Sequence, residues 1–115
     1  MEEKEYGIVW KDRAVSLRED FVNQLYRVID PELGIDIVNL GLVYEIGLDD
    51  KGLCTMLMTL TTPGCPLVDY LENDIRYVLS EIDEIEALDF QLTFQPMWTM
   101  DRISRFGKIA LGVAD

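Results

Sequence analysis

The segment Met58-Thr-Leu-Thr-Thr-Pro-Gly-Cys-Pro66 gathers the residue types best suited to chemistry. A run of strand formers ends there, Pro63-Gly64 turns the chain, and Cys65 falls at the expected cap of a helix whose first residue is Pro66. Free amides and the positive end of a helix stabilise a thiolate and lower a cysteine's pKa below its usual value of about 8.5. Thr61 and Thr62 add hydroxyl donors. A thiolate so placed suits nucleophilic attack or soft-metal ligation. On position alone, a small buried cysteine at a strand-to-helix turn is an equally good reading of Cys65. Cys54 has no such context and reads as a core residue.

Asp30, Glu32 and Asp36 form a second polar cluster. In the ordinary reading Asp30 and Asp36 satisfy turn amides while Glu32 is solvated. Beside a cysteine, such a carboxylate can instead bind iron, orient a hydroxyl or tune the thiolate's proton affinity. Met97 and Trp98, which follow Pro96, read as core or lid residues rather than a cofactor box. The chain has no histidine, which removes Ser-His and Cys-His nucleophile pairs and every zinc site that needs imidazole. Two cysteines are too few for a four-thiolate site, so any metal is expected to be shared with another chain.

The elements that must hold these residues follow from periodicity. Ser16-Leu-Arg-Glu19 matches a capping box, and Leu17, Phe21, Leu25, Val28 and Ile29 recur at helical spacing, so a first helix is expected over Ser16 to Ile29. Asp30-Pro31 ends it. Residues 32–41 read as an ordered, packed loop. Leu42 to Leu48 and Leu53 to Thr61, joined by Asp49-Asp-Lys-Gly52, read as an antiparallel hairpin with Cys54 at its turn end. A second helix is expected over Pro66 to Ser80, with Glu72 and Arg76 placed for an i,i+4 pair. Alternation from Ala87 to Phe94 predicts a strand with one buried face, and Ile103, Phe106, Ile109 and Ala110 suggest a short third helix. This order predicts an α+β fold, a two-layer α-β-β-α-β domain with helices on one face of a small mixed or antiparallel sheet.

The chain has 115 residues, 49% of them apolar, enough for one small domain with a core of its own. Ten basic and twenty-two acidic side chains give a formal net charge of -12, which repels phosphate backbones and anionic lipid. Nucleic-acid and membrane partners are therefore not expected. No apolar run approaches the roughly 20 residues of a spanning helix, and the acidic start is unlike a basic signal-peptide region, so a cytoplasmic protein is expected. Between Pro66 and Gln95 there are eight acidic residues and one basic, a net charge of -7 that reads as a solvated face rather than a docking surface.

Several linked motifs resemble one known family. Asp30-Pro-Glu-Leu-Gly, Asp36-Ile-Val-Asn-Leu-Gly-Leu-Val-Tyr44, the Met58 to Pro66 segment, Pro96-x-Trp98, Ile103-Ser104 and Leu111-Gly112, in this order, are similar to the PaaD/SufT-like iron-sulfur assembly factors. The resemblance covers about Ser16 to Val113, leaving residues 1–15 as an N-terminal extension and 16–115 as the assembly domain. It implies a non-enzymatic factor for maturation or delivery of iron-sulfur clusters. Cys65 is then the signature functional residue, Asp30 the aspartate of the Asp-Pro-Glu motif, and Thr61 and Thr62 the threonines of the same pocket; Glu32 and Asp36 are secondary candidates. The cofactor expectation is a transient cluster or iron ion held through Cys65 and shared with a partner or second subunit, with none tightly bound. Expected partners are the assembly machinery and client apoproteins, with a homodimer one arrangement. A metal-free adaptor, an accessory component of a ring oxygenase and a thiol enzyme acting by covalent attack are the alternatives.

Overall fold

A computed structural model describes residues 6–61 and 67–112. In chain order they form β1 (Val9–Asp12), a 3-10 helix (Arg13–Leu17), α1 (Arg18–Leu25), β2 (Ile29–Asp30), β3 (Ile35–Asp36), β4 (Val43–Leu48), β5 (Leu53–Met58), α2 (Val68–Leu79), β6 (Ala87–Leu92), a second 3-10 helix (Met100–Arg102) and α3 (Arg105–Leu111). The expected mixed α/β domain is present.

The hairpin β4–β5 is antiparallel, with Leu48 opposite Cys54 and Ile46 opposite Met56. Its turn is built by Asp49, whose Oδ1 accepts from the amides of Lys51 and Leu53, both at 2.9 Å. These backbone donors, Leu53 foremost, hold the Asp49 carboxyl below the usual carboxylate range. β1 joins β4 in parallel and β6 joins β5 in parallel, so the sheet order is β1-β4-β5-β6 and the sheet is mixed. Residues 9–12 of the N-terminal extension thus supply an edge strand. They escape a periodicity search because β1 shows no run of alternation: only Trp10 of its four residues is even half-buried.

Strand alternation sorts the sheet into two faces. Trp10, Ile46, Leu48, Cys54, Met56, Met58, Leu88 and Phe90 share one face by register. There they meet α1 and α2, whose Phe21, Leu25, Leu71, Ile75, Val78 and Leu79 complete the core. The Trp10 and Phe21 rings lie 5.9 Å apart. Full burial of side chains of this size stabilises by about 1.5–3 kcal/mol each. The other face carries the Lys11–Glu45 ion pair at 3.0 Å.

Several boundaries move from expectation. Ser16 does not cap α1: its hydroxyl donates to Arg13 O at 3.1 Å within the 3-10 helix, and Leu17 occupies the cap without a side-chain bond. The helix also stops at Leu25, because Ile29 and Asp30 are drawn into antiparallel pairing with Asp36 and Ile35. The loop expected over 32–41 therefore opens inside a small second sheet. α2 begins at Val68 with Leu67 as its cap, so Cys65 is not the capping residue, and Thr62, Cys65 and Pro66 lie outside the described residues. β6 ends at Leu92, short of Phe94. In α3 the expected apolar stripe is turned around: Phe106 and Ile109 are exposed and Gly107 is buried.

Gly41 and Gly34 separate two kinds of left-handed glycine. At Gly41 (φ 74°) an added Cβ would meet Arg102 O at 2.3 Å, whereas at Gly34 (φ 72°) nothing lies within 4 Å. Gly34→Ala should cost about 1–2 kcal/mol, the left-handed penalty alone. Gly41→Ala should cost more in chemical denaturation and should also change Trp98 fluorescence in the folded state, because Arg102 must move. Equal costs for the two variants would contradict the close approach.

Candidate functional site

Asp30 is 4% exposed, and its Oδ1 accepts from the amides of Glu32 (2.8 Å) and Leu33 (3.2 Å). The carboxylate closes the turn that carries the chain from β2 to β3. Its second oxygen accepts no hydrogen bond among the described residues. Glu32, in that turn, is exposed.

Asp36 is buried at the other strand of the pair. Its Oδ2 accepts from Asn39 N at 2.8 Å and its Oδ1 from Asn39 Nδ2 at 2.7 Å. Asn39 in turn accepts at Oδ1 a short hydrogen bond from the Ser104 hydroxyl, while its carbonyl accepts from Ser104 N at 2.8 Å. Ser104 caps α3, its Oγ accepting from Gly107 N at 3.0 Å. Asp36 is thereby linked, through one asparagine, to the start of the last helix. Tyr6 stands at the same place: burial, a hydrogen bond with the Tyr26 hydroxyl and the negative charges of Tyr26 and Asp36 raise its hydroxyl pKa well above the usual phenol range.

The segment leading to α3 is fastened to the loop between β3 and β4 at further points. Trp98 Nε1 donates to Leu40 O at 2.7 Å, and Tyr44 Oη to Pro96 O at 2.7 Å. Arg102 donates to Gly41 O at 2.7 Å and to Val43 O and Gly7 O at 3.3 Å, with its guanidinium 4.3 Å from the centre of the Tyr44 ring. Trp98 is half-buried and does serve as a packing residue, whereas its neighbour Met97 is exposed. Backbone bonds continue this framework to the end of β5: Ile37 N donates to Val28 O, Leu42 N to Ile37 O, and Thr59 N to Leu42 O at 2.8 Å. Thr61, two residues further on, is half-buried.

Of the two cysteines, Cys54 lies within the described residues. Cys54 is fully buried beside the hairpin turn, and burial pushes its thiol up to about 12. At neutral pH it stays protonated, as expected of a core thiol. Thr62 and Cys65 follow Thr61 outside the described residues. Among the described residues no three cysteine or carboxylate side chains are grouped to hold a metal ion.

The acidic stretch after α2 is partly neutralised. Arg27 pairs with Glu81 at 2.9 Å and holds its carboxyl below the usual range, and Gln24 donates to Val78 O and to Glu81. Asp20, Glu81, Asp83 and Glu84 line a shallow groove of about 330 Å³ there. Sequence reasoning overlooked Tyr6, Asn39, Arg102 and Ser104 as parts of the site framework. Ser104 had a usable sign, a serine directly ahead of a helical stretch. Nothing local marks Arg102, whose acceptors are backbone carbonyls 59 to 95 residues away.

Comparison with known proteins is consistent across sequence and structure. A family model described as iron-sulfur cluster assembly protein matches residues 18–88. The chain is 54% identical over 87 residues to the Fe-S protein maturation auxiliary factor SufT of Staphylococcus aureus, covering 76% of this chain and 99% of that one. It is 43% identical over 98 residues to the Fe-S protein maturation auxiliary factor YitW of Bacillus subtilis, covering 85% and 96%. A crystal structure of a domain of unknown function from Bacillus anthracis superposes with a TM-score of 0.81 at 38% identity, covering 86% of this chain and 94% of that one. With more than half of its length matched by the family model and a relative at 54% identity aligned over nearly its whole length, the chain belongs to the iron-sulfur cluster assembly protein family.

Proposed function

We propose that this protein is a maturation factor that receives an iron-sulfur cluster or iron as cargo through the Cys65 thiolate and passes it to client apoproteins, without catalysing a reaction of its own. The observation that carries this reading is the family match over residues 18–88 together with relatives named as Fe-S protein maturation auxiliary factors. The state of Cys54 supports it. With no histidine in the chain and Cys54 buried as a neutral thiol, Cys65 is the cysteine left to offer cargo a thiolate. A single thiolate cannot complete a coordination sphere, so the remaining ligands come from a partner, a second subunit or a small thiol. α2, whose first turn begins at Val68, offers a positive end close along the chain to favour the thiolate. Asp30 contributes a carboxylate with one oxygen committed to its turn and the other accepting no hydrogen bond among the described residues, suited to steer the thiolate's proton or the incoming metal. Thr61 and Thr62 supply hydroxyl donors in the same segment, and Glu32 and Asp36 are the supporting carboxylates. The protein works in the cytoplasm with the assembly machinery; among the described residues no helix is long and apolar enough to cross a membrane.

Anaerobic reconstitution with iron and sulfide tests the assignment. Wild type and Cys54→Ser should take up iron and develop cluster absorbance, Cys65→Ser should lose both, and native mass measurement should find the cargo on a dimer or a thiol adduct. Equal loss in both variants on a monomer would overturn it, and unimpaired client maturation by Cys65→Ser would favour a metal-free adaptor. Alkylation gives a second check. Between pH 7 and 9 a soluble reagent should label Cys65 and leave Cys54 unmodified in the folded protein, because the Cys54 thiol titrates near 12.

Asp30 separates structure from function by two substitutions. Asp30→Ala removes the acceptor of two amides and should cost about 1–2 kcal/mol in denaturant titration. Asp30→Asn keeps an acceptor oxygen and should stay close to wild type in stability while still impairing client maturation. Full maturation by a stable Asp30→Asn variant would reduce Asp30 to a turn residue.

A further inference from the structure

The C-terminal segment reverses two habits of this chain. Residues 96–112 hold three basic residues and one acidic, within a protein of net charge -12. Met97, Met100, Phe106 and Ile109, clustered in this segment, are each 50–72% exposed. The outward turn of the two on α3 has a structural reason. An added Cβ at Gly107 would meet Ile103 Cγ2 at 2.7 Å and Asn39 O at 3.2 Å, so the inward side of α3 is fitted to a glycine and the large residues face solvent. Apolar side chains gathered at the surface of a small domain usually mark a binding site. Arg105 and Lys108 stand on the same helix and make no ion pair among the described residues.

We infer that the exposed face of α3 with Met97 and Met100 is the docking surface for a client protein that presents an acidic segment with apolar side chains. Charge complementarity selects this occupant. An acidic partner is repelled by the body of the molecule, where the stretch from Pro66 to Gln95 alone carries eight acidic residues against one basic. The cationic face attracts it instead, and so orients it. A second copy docked α3 against α3 about a two-fold axis would instead set Arg105 and Lys108 against their own kind. The helix is also tied to one of the candidate carboxylates, because Ser104, the cap of α3, is bonded to Asn39 and Asn39 to Asp36. Naming the occupant a client rests on the maturation reading; the existence of the face does not.

The test uses a synthetic acidic amphipathic peptide with Glu on one side and Leu and Phe on the other, and a matched peptide with every Glu replaced by Lys. Both are titrated into isotope-labelled Cys65→Ser protein, so that loss of cargo binding leaves the readout intact. The acidic peptide should shift amide resonances of residues 97–111, bind about tenfold more weakly to Phe106→Ser and to Lys108→Glu, and weaken with salt. Ile109→Ser provides a second exposed variant, and unchanged thermal melting confirms that each remains folded. The proposal falls if both peptides bind alike, if the shifts lie elsewhere, or if Phe106→Ser converts a concentration-dependent dimer to monomer. It falls equally if anionic phosphatidylglycerol vesicles engage the face and the acidic peptide does not.

Discussion

Asp36 is a carboxylate only 7% exposed, placed where a small second sheet meets the start of the main one. Withdrawing such a group from water costs several kcal/mol unless its oxygens are satisfied. Asn39 meets the demand with its amide and its side-chain nitrogen, and so spends both donors inward. Its oxygens are then left to accept from Ser104, and that fixes where α3 begins. Trp98, Tyr44 and Arg102 reinforce the same junction by linking the segment before α3 to the β3–β4 loop through main-chain carbonyls. The position of the last helix, and of the face it presents, therefore follows from the burial of one charge.

Placement sets the chemistry of Cys54. Cys54 sits on the core face of β5 opposite Leu48, surrounded by side chains that cannot stabilise a negative charge, and its proton is retained. Along β5, the run from Cys54 to Met58 alone spans about 13 Å, at about 3.3 Å per residue, so the core thiol lies at the wrong end to help a ligand at the other. On the proposed reading, a protein without histidine offers its cargo the Cys65 thiolate and depends on other molecules to complete a coordination sphere. On that reading the dependence suits a carrier that must release what it holds.

Charge is divided along the same lines. The helical and sheet body is acidic, and several of its basic residues are committed: Lys11 to Glu45, Arg27 to Glu81 and Arg76 to Glu72. Arg105 and Lys108 make no ion pair among the described residues and stand on α3, whose Phe106 and Ile109 point outward. This division underlies the docking face inferred for α3.

What the sequence by itself determined were the features set by short-range chemistry. Strand-forming residues placed β4 and β5, alternation placed β6, the apolar periodicity of Leu71, Ile75, Val78 and Leu79 placed α2, and the Asp49 to Gly52 turn joined the hairpin. The ordinary reading of Asp30 and Asp36 as acceptors of turn amides was legible too, since such bonds span two or three residues. Tertiary structure decided the rest. β1 exists because β4 offers it an edge, α1 ends early because Ile29 and Asp30 find partners in β3, and Leu67 rather than Cys65 caps α2. Phe106 and Ile109 read as a buried stripe until Asn39 and Ile103 bring the backbone at Gly107 too close for any side chain. Periodicity shows that a helix has an apolar side. Only the neighbours brought to it by distant parts of the chain determine which side they leave room to bury.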